Sequence, residues 1–410
     1  MRATRKPART ARLAASFFRS LLTVAIFVVV LFVARRADAY PWMIRHDYTT
    51  CSTCHADPSG AGIMTAYGRA QSEVLLRTHY GEPKEDEDPA KLGGFLFGAV
   101  TLPEQLQLQA DLRTLFLHVA PPAPAPSSNR IILMQADAAA SVSAGAFRAA
   151  GTLGYVHEGA LGASITRGDE DRMVSRQHWA GAVFGKDEAF LVRAGRMNLP
   201  FGLRVIEHTL LTRQATRSDI NAAQQHGVAL SWNIEGWRAE VMGIAGNFQL
   251  RPDALRDRGG AGYIEHAFSQ KLAVGVSSLV THAEHDLETG RATFRQAHGL
   301  FGRWAVAKPV VILAEADILA RSPKRRAIEV GSTGFVQVDV EPLQGLHVAG
   351  TGEILTTEFG NPSTFGGWLS AFWFFLPHLD VRTDLVLRNV AAGDQRDTVI
   401  TYLAQLHGFL

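Results

Sequence analysis

The chain has 410 residues, 47% hydrophobic and 20% charged, with 41 basic residues against 39 acidic and a formal net charge of +2. Residues 1–39 hold eight of those basic residues and one acid, so the remainder carries 33 against 38 and offers no general basic surface for nucleic acid. Only two cysteines occur, too few for a zinc site built on thiols.

The chain opens with Arg2, Arg5, Lys6, Arg9, Arg12 and Arg19, continues with an apolar run from Leu21 to Ala34, and reaches Ala37-Asp38-Ala39 just before Tyr40. A basic start, an apolar stretch and a small-x-small site are the parts of a signal peptide cleaved after residue 39. The apolar run is shorter than the roughly 20 residues that span a bilayer. Arg35 and Arg36 leave an uncleaved anchor as the alternative. Export is expected in either case.

Residues 40–90 hold both cysteines in Cys51-Ser52-Thr53-Cys54-His55. In a C-x-x-C-H sequence two thiols can each form a thioether to a porphyrin vinyl group, and the next histidine is held beneath the ring as an iron ligand. The expected cofactor is one haem c, with Cys51 and Cys54 as attachment points and His55 as proximal ligand. A plain disulfide or dithiol pair is the bland alternative. His46 or Met64 is the expected distal ligand, with Met43 and His79 as further candidates, because imidazole and thioether are the usual sixth ligands of electron-transfer haems. Arg45 and Arg69 are charge partners available to the haem propionates. Ala56 to Gly62 is turn-rich, and the spacing of Ile63, Met64, Tyr67, Val74, Leu75 and Leu76 predicts a helix behind it. A segment of ~50 residues cannot bury a core alone and needs the porphyrin or a larger host around it. Pro83 to Lys91, with Glu85, Asp86, Glu87 and Asp88, reads as a solvated linker.

From residue 91 the periodicity changes to two. Leu106, Leu108, Ala110 and Leu112 alternate with Gln107, Gln109, Asp111 and Arg113, and Val381, Thr383, Leu385 and Leu387 alternate with Arg382, Asp384 and Arg388. Similar runs recur at 130–142, 147–156, 190–197, 237–245, 272–280, 293–304, 310–319, 335–340, 346–355 and 399–406. Between them lie turn materials such as Gly159, Gly185 to Glu188, Gly259-Gly260, Glu341-Pro342, Gly360-Asn361-Pro362 and Ala392-Gly393-Asp394. The fold class is therefore all-β. The export signal and the polar opposite face favour a transmembrane antiparallel β-barrel over a soluble sandwich, and residues 91–410 allow about 16 strands. The final strand, ending His407-Gly408-Phe409-Leu410, carries the aromatic character of a closing strand. Ala120 to Ser128 is an external proline-rich loop. Asn198 to Arg204, followed by Glu207, His208, Arg213 and Arg217, is either an external loop or a segment folded into the lumen. The charges Arg382, Asp384 and Arg388 belong to the lumen face.

Together these parts resemble the monohaem cytochrome-porin fusions of the outer membrane known from iron-oxidising bacteria. The resemblance rests on Pro41 to Arg69: an aromatic and Arg45 before the C-x-x-C-H motif, Pro58 three residues on, and Tyr67-Gly68-Arg69 where that family has Phe-Gly-Arg. The loop between Pro58 and Tyr67 is longer and richer in glycine than in the iron oxidases, which leaves the donor open. The resemblance implies an N-terminal haem segment plugging the lumen, outer-membrane lipid around the barrel, a periplasmic cytochrome as redox partner and Fe(II) or another extracellular reductant as donor. A porin for small ions or solutes with a haem plug is the alternative, and a haem sensor or peroxidase a third.

Overall fold

A computed structural model describes residues 41–58, 60, 62–81, 88–155, 173–207, 209–392 and 395–410. The leader, Tyr40, Glu85 to Glu87, Gly159, His208, Gly393 and Asp394 lie outside the described residues. The strands are β1 (Leu106–Ala120), β2 (Ser128–Ala144), β3 (Phe147–Tyr155), β4 (Met173–Val174), β5 (His178–Phe184), β6 (Phe190–Met197), β7 (Gln225–Ile234), β8 (Trp237–Gly246) and β9 (Arg258–Ser269). They continue as β10 (Leu272–Ala283), β11 (Thr293–Ala307), β12 (Val310–Pro323), β13 (Glu329–Leu343), β14 (Leu346–Thr356), β15 (Thr364–Leu376), β16 (Leu379–Ala392) and β17 (Gln395–Phe409).

Neighbouring strands pair antiparallel throughout, and β1 pairs with both β2 and β17, which closes the sheet on itself. Both β4 and β5 pair with β3, so they form one interrupted stave and the barrel has 16 strands. Closure removes the free sheet edge that a bilayer could not satisfy. Along β10 the pleat is clear: Val274 and Val276 face out, while Ala273, Ser277 and Leu279 face in. Exposed Leu300, Leu369, Leu385 and Val336 continue the outer apolar surface around the wall. Aromatics flank it at both ends, with Phe147, Phe184, Trp237 and Trp304 beside the short turns and Phe294, Phe365 and Tyr402 toward the long loops.

Six hairpins at one end turn in two residues, as at 145–146 and 344–345, and the start of β1 and the end of β17 share that end. Short turns mark the periplasmic side of such barrels, and long connections such as 198–224 mark the outer side.

Several expectations need correction. Gly259 and Gly260 lie inside β9 rather than in a turn: a Cβ on Gly259 would stand 2.9 Å from the backbone carbon of Val280 on β10, so close strand approach selects glycine there. Glu341-Pro342 is the end of β13. Strands β5, β7, β9 and β15 are absent from the alternating runs. In β15 the reason is plain, because Trp368, Phe372 and Phe374 face inward while Leu369 and Trp373 face lipid, and both faces are apolar. The helix behind the motif begins at Ala66, not Ile63, where Thr65 caps it by accepting from the Gly68 amide; it runs to Gln71 and continues as a wider π turn over Ser72–Leu76.

The wall is not a uniformly polar lumen. Phe301, Leu313, Phe335, Trp368, Phe372 and Phe374 point inward and share one buried cluster with Trp42, Ile44 and Leu76 of the N-terminal segment. The barrel interior is a core with two halves: wall, and the chain threaded through it.

Candidate functional site

The threaded segment is fixed first at Pro41–His46, a 3-10 turn whose Ile44 is fully buried against the wall. Arg45 lies between Asp339 and Glu341 of β13, with Nη1 donating to Glu341 Oε2 at 3.1 Å and Nη2 bonded to Asp339. Trp42 stacks on His347 of β14 with ring centroids 4.1 Å apart. Lys271, in the β9–β10 turn, donates to the Arg45 carbonyl at 2.6 Å and pairs with Asp47 at 2.8 Å. These partners lie at the short-turn end, so the segment plugs the periplasmic half of the lumen.

The motif follows as a 3-10 turn over Cys51–Thr53, with the His55 amide donating to the Cys51 carbonyl at 3.0 Å. The chain then doubles back: Ala56 donates to Ile63 and Thr65 donates to Cys54, each at 2.9 Å, and His55 and Met64 pair as a single antiparallel bridge. Asp57 is tied to Arg193 of β6 at 3.0 Å. Gly68 explains the Tyr-Gly-Arg triplet, because a Cβ there would stand 2.9 Å from Cys54 Cα. Cys51 and Cys54 form no disulfide, and Arg238 Nη1 reaches Cys51 Sγ at 2.9 Å.

Both thiols and His55 line one cavity, open to solvent, of about 270 Å³. That is near the lower end of ordinary ligand pockets, roughly 300–1,000 Å³. Its apolar walls include Met43, Ile63, Leu203, Val205 and Phe374. Burial pushes the His55 imidazole below its ordinary value, with Asp57 and the Gly62 carbonyl pulling the other way, and the ring is neutral at pH 7. Its Nδ1 is buried and makes no hydrogen bond of good geometry among the described residues.

The other sequence candidates divide. Met43 and Met64 line the cavity; His46 and His79 do not, and His79 Nε2 is 3.2 Å from the Glu73 carbonyl. The bridge sets the Met64 side chain beside that of His55, on the same side of the ladder. Arg45 and Arg69 are outside the lining: Arg45 is engaged by two carboxylates, and Arg69 donates to the Leu108 carbonyl. The cations that do line the cavity are Arg113, Arg176, Arg204, Arg238 and Arg303. Four of them come from strands or loops far along the chain, and alternation alone marks Arg113 as polar without saying what it faces.

The loop 198–224 folds inward and fills the middle of the lumen. Leu199, Phe201 and Leu203 are buried, the Leu203 amide donates to Glu315 of β12 at 2.7 Å, and the Leu211 amide donates to Glu353 of β14 at 2.7 Å. Leu210 and Leu211 open the short helix Leu211–Thr216, whose Arg213 pairs with Glu315. Arg382 binds Glu207 at 3.2 Å and Asp384 at 2.7 Å, and Arg388 binds Glu353 at 2.9 Å. Of the three charges expected on the lumen face, Arg382 and Arg388 therefore anchor this loop, and Asp384 holds Arg382 in place. Of the two options for Asn198 to Arg204, the inward one is adopted.

No family model matches the chain, and no curated protein sequence matches it. The fold has solved neighbours. An anion-selective porin from Comamonas acidovorans is similar over 74% of this chain and 99% of its own, with a TM-score of 0.58 and 10% identity. OmpT, an outer-membrane protein of Vibrio cholerae, is similar over 74% and 97%, at 0.56 and 10%. OprB of Pseudomonas putida is similar over 75% and 94%, at 0.54 and 9%. At such identities the likeness is one of fold: a porin-like outer-membrane barrel.

Proposed function

We propose that this chain is an outer-membrane electron-transfer protein in which a porin-like barrel encloses a plug carrying one covalent haem c. The barrel sits in the bacterial outer membrane, as its apolar outer wall and aromatic girdles require. The observation that carries the haem reading is the joint lining of one lumen cavity by Cys51, Cys54 and His55. The donor set suits the group: two cysteines outside any disulfide, a buried neutral imidazole whose Nδ1 has no hydrogen bond of good geometry among the described residues, apolar walls and a rim of arginines. When bound, the haem supplies one-electron chemistry. The chain's part is to hold the ring by Cys51 and Cys54, to offer His55 to the iron, to exclude water with Leu203, Val205 and Phe374, and to present Met43 or Met64 as a thioether on the cavity wall; His46 lies outside the lining.

Ser52 and Thr53 are exposed, and Ser52 Oγ is 3.4 Å from Asn233 Nδ2 near the β7–β8 turn. The motif therefore faces the periplasmic mouth, which suits exchange with a periplasmic cytochrome or other redox carrier. An extracellular donor such as Fe(II) lies across the half of the lumen filled by 198–224. A hydrocarbon span of ~30 Å makes that side the longer electron path.

The second reading is a channel for small ions or solutes with the same plug, and the porin-like fold favours it. Two measurements separate them. The electron-transfer reading expects covalent haem and negligible conductance in planar bilayers; the channel reading expects steady ion conductance from the intact protein, with or without haem.

A further inference from the structure

Five arginines line the cavity of the C-x-x-C-H motif, and they differ in what they already bind. Arg176 is held by Asp137 at 2.8 Å, Arg238 by Glu265 at 2.8 Å, Arg303 by Glu265 and the Thr49 carbonyl, and Arg204 by the Leu199 carbonyl. The Arg113 side chain on β1 has no hydrogen-bond or ion-pair partner among the described residues, and its Nε, like that of Arg303, is buried without one. The carboxylates beside it are spent elsewhere. His407, paired with Arg113 across the β1–β17 ladder, takes Asp380 at 2.8 Å and Asp111 at 3.3 Å, and Asp111 also accepts from Gln109 at 2.9 Å. Arg113 is half-buried, and its planar guanidinium fork is shaped for a carboxylate.

Resting on the haem reading above, we infer that Arg113 is the propionate-binding residue of the plug cavity, in place of the Arg45 and Arg69 that the sequence offers. A haem edge carries carboxylates, and Arg113 is the cavity arginine whose side chain has no partner at all among the described residues. Its charge also bears on the iron: a fixed cation near the ring disfavours the ferric state relative to the ferrous, so it raises the midpoint potential.

The test is potentiometric titration of the haem in the purified holoprotein, unaltered and as Arg113→Gln and Arg113→Lys. Arg113→Gln is expected to retain covalent haem and to titrate at a lower midpoint potential, and Arg113→Lys to recover most of the shift through its charge. Identical potentials in all three proteins overturn the inference while leaving the haem reading intact; absence of covalent haem from the unaltered protein overturns both. A second measurement is independent of how the Arg113 variants fold. Phenylglyoxal should label Arg113 in the Cys51→Ala, Cys54→Ala protein and spare it in the holoprotein, as read by peptide mass, and equal labelling would count against the inference.

Discussion

At the scale of single residues the plug is held by charges that only make sense in pairs. Arg45, Asp339 and Glu341 are all but inaccessible to solvent, and removing the cation leaves two carboxylates in a desolvated wall. Breaking such a buried cluster costs about 3–5 kcal/mol. Arg45→Met is therefore expected to loosen residues 41–58 without unfolding the barrel, seen as faster amide exchange confined to that segment; unchanged exchange would refute it. Gly68 tests sterics in the same region. A methyl group there meets Cys54 Cα at 2.9 Å and the Cys54 carbonyl oxygen more closely still, so Gly68→Ala should cost about 1–3 kcal/mol and lower haem incorporation by displacing Cys54. Wild-type haem content in that variant would show that the motif tolerates the shift.

At the scale of elements the inner wall and the threaded chain act as the two halves of one core. Trp42, Ile44 and Leu76 bury themselves on Phe301, Phe335, Trp368 and Phe372, and a segment too small to fold alone borrows that wall. A deletion of residues 41–99 should accordingly leave a barrel that inserts, exposes inward aromatics and conducts ions better than the intact protein. Equal conductance would mean that the 198–224 loop alone seals the lumen. What the sequence made legible follows from the range of the interactions. The C-x-x-C-H motif could be found because its chemistry is local, and β1, β10 and β16 because one face is apolar and the other polar. β15 escaped because the plug turns its inward face, Trp368, Phe372 and Phe374, as apolar as its outward face. The cavity walls escaped for a related reason. Arg113, Arg238 and His407 are each more than a hundred residues apart and come to one cavity only because the sheet closes.

At the scale of the whole molecule the wall must satisfy lipid outside and a plug inside. Leu369, near the middle of β15, is 59% exposed, whereas Ser370 beside it is fully buried and donates to Asp384 at 2.5 Å. Leu369→Arg should cost about 2–4 kcal/mol in lipid vesicles at that depth, measured by denaturant unfolding, and a null effect would contradict the orientation of the strand. The porin-like fold, the inward loop and the threaded N-terminal segment together describe a barrel whose lumen is largely filled, and the proposal is that this filling carries one haem c. The most direct test is the pyridine haemochrome and the reduced-minus-oxidised spectrum of outer membranes containing the protein made alongside haem-maturation machinery. One c-type haem per chain, lost in the Cys51→Ala, Cys54→Ala double variant while the barrel still inserts, is the predicted result; membranes with the barrel present and no covalent haem would contradict the account.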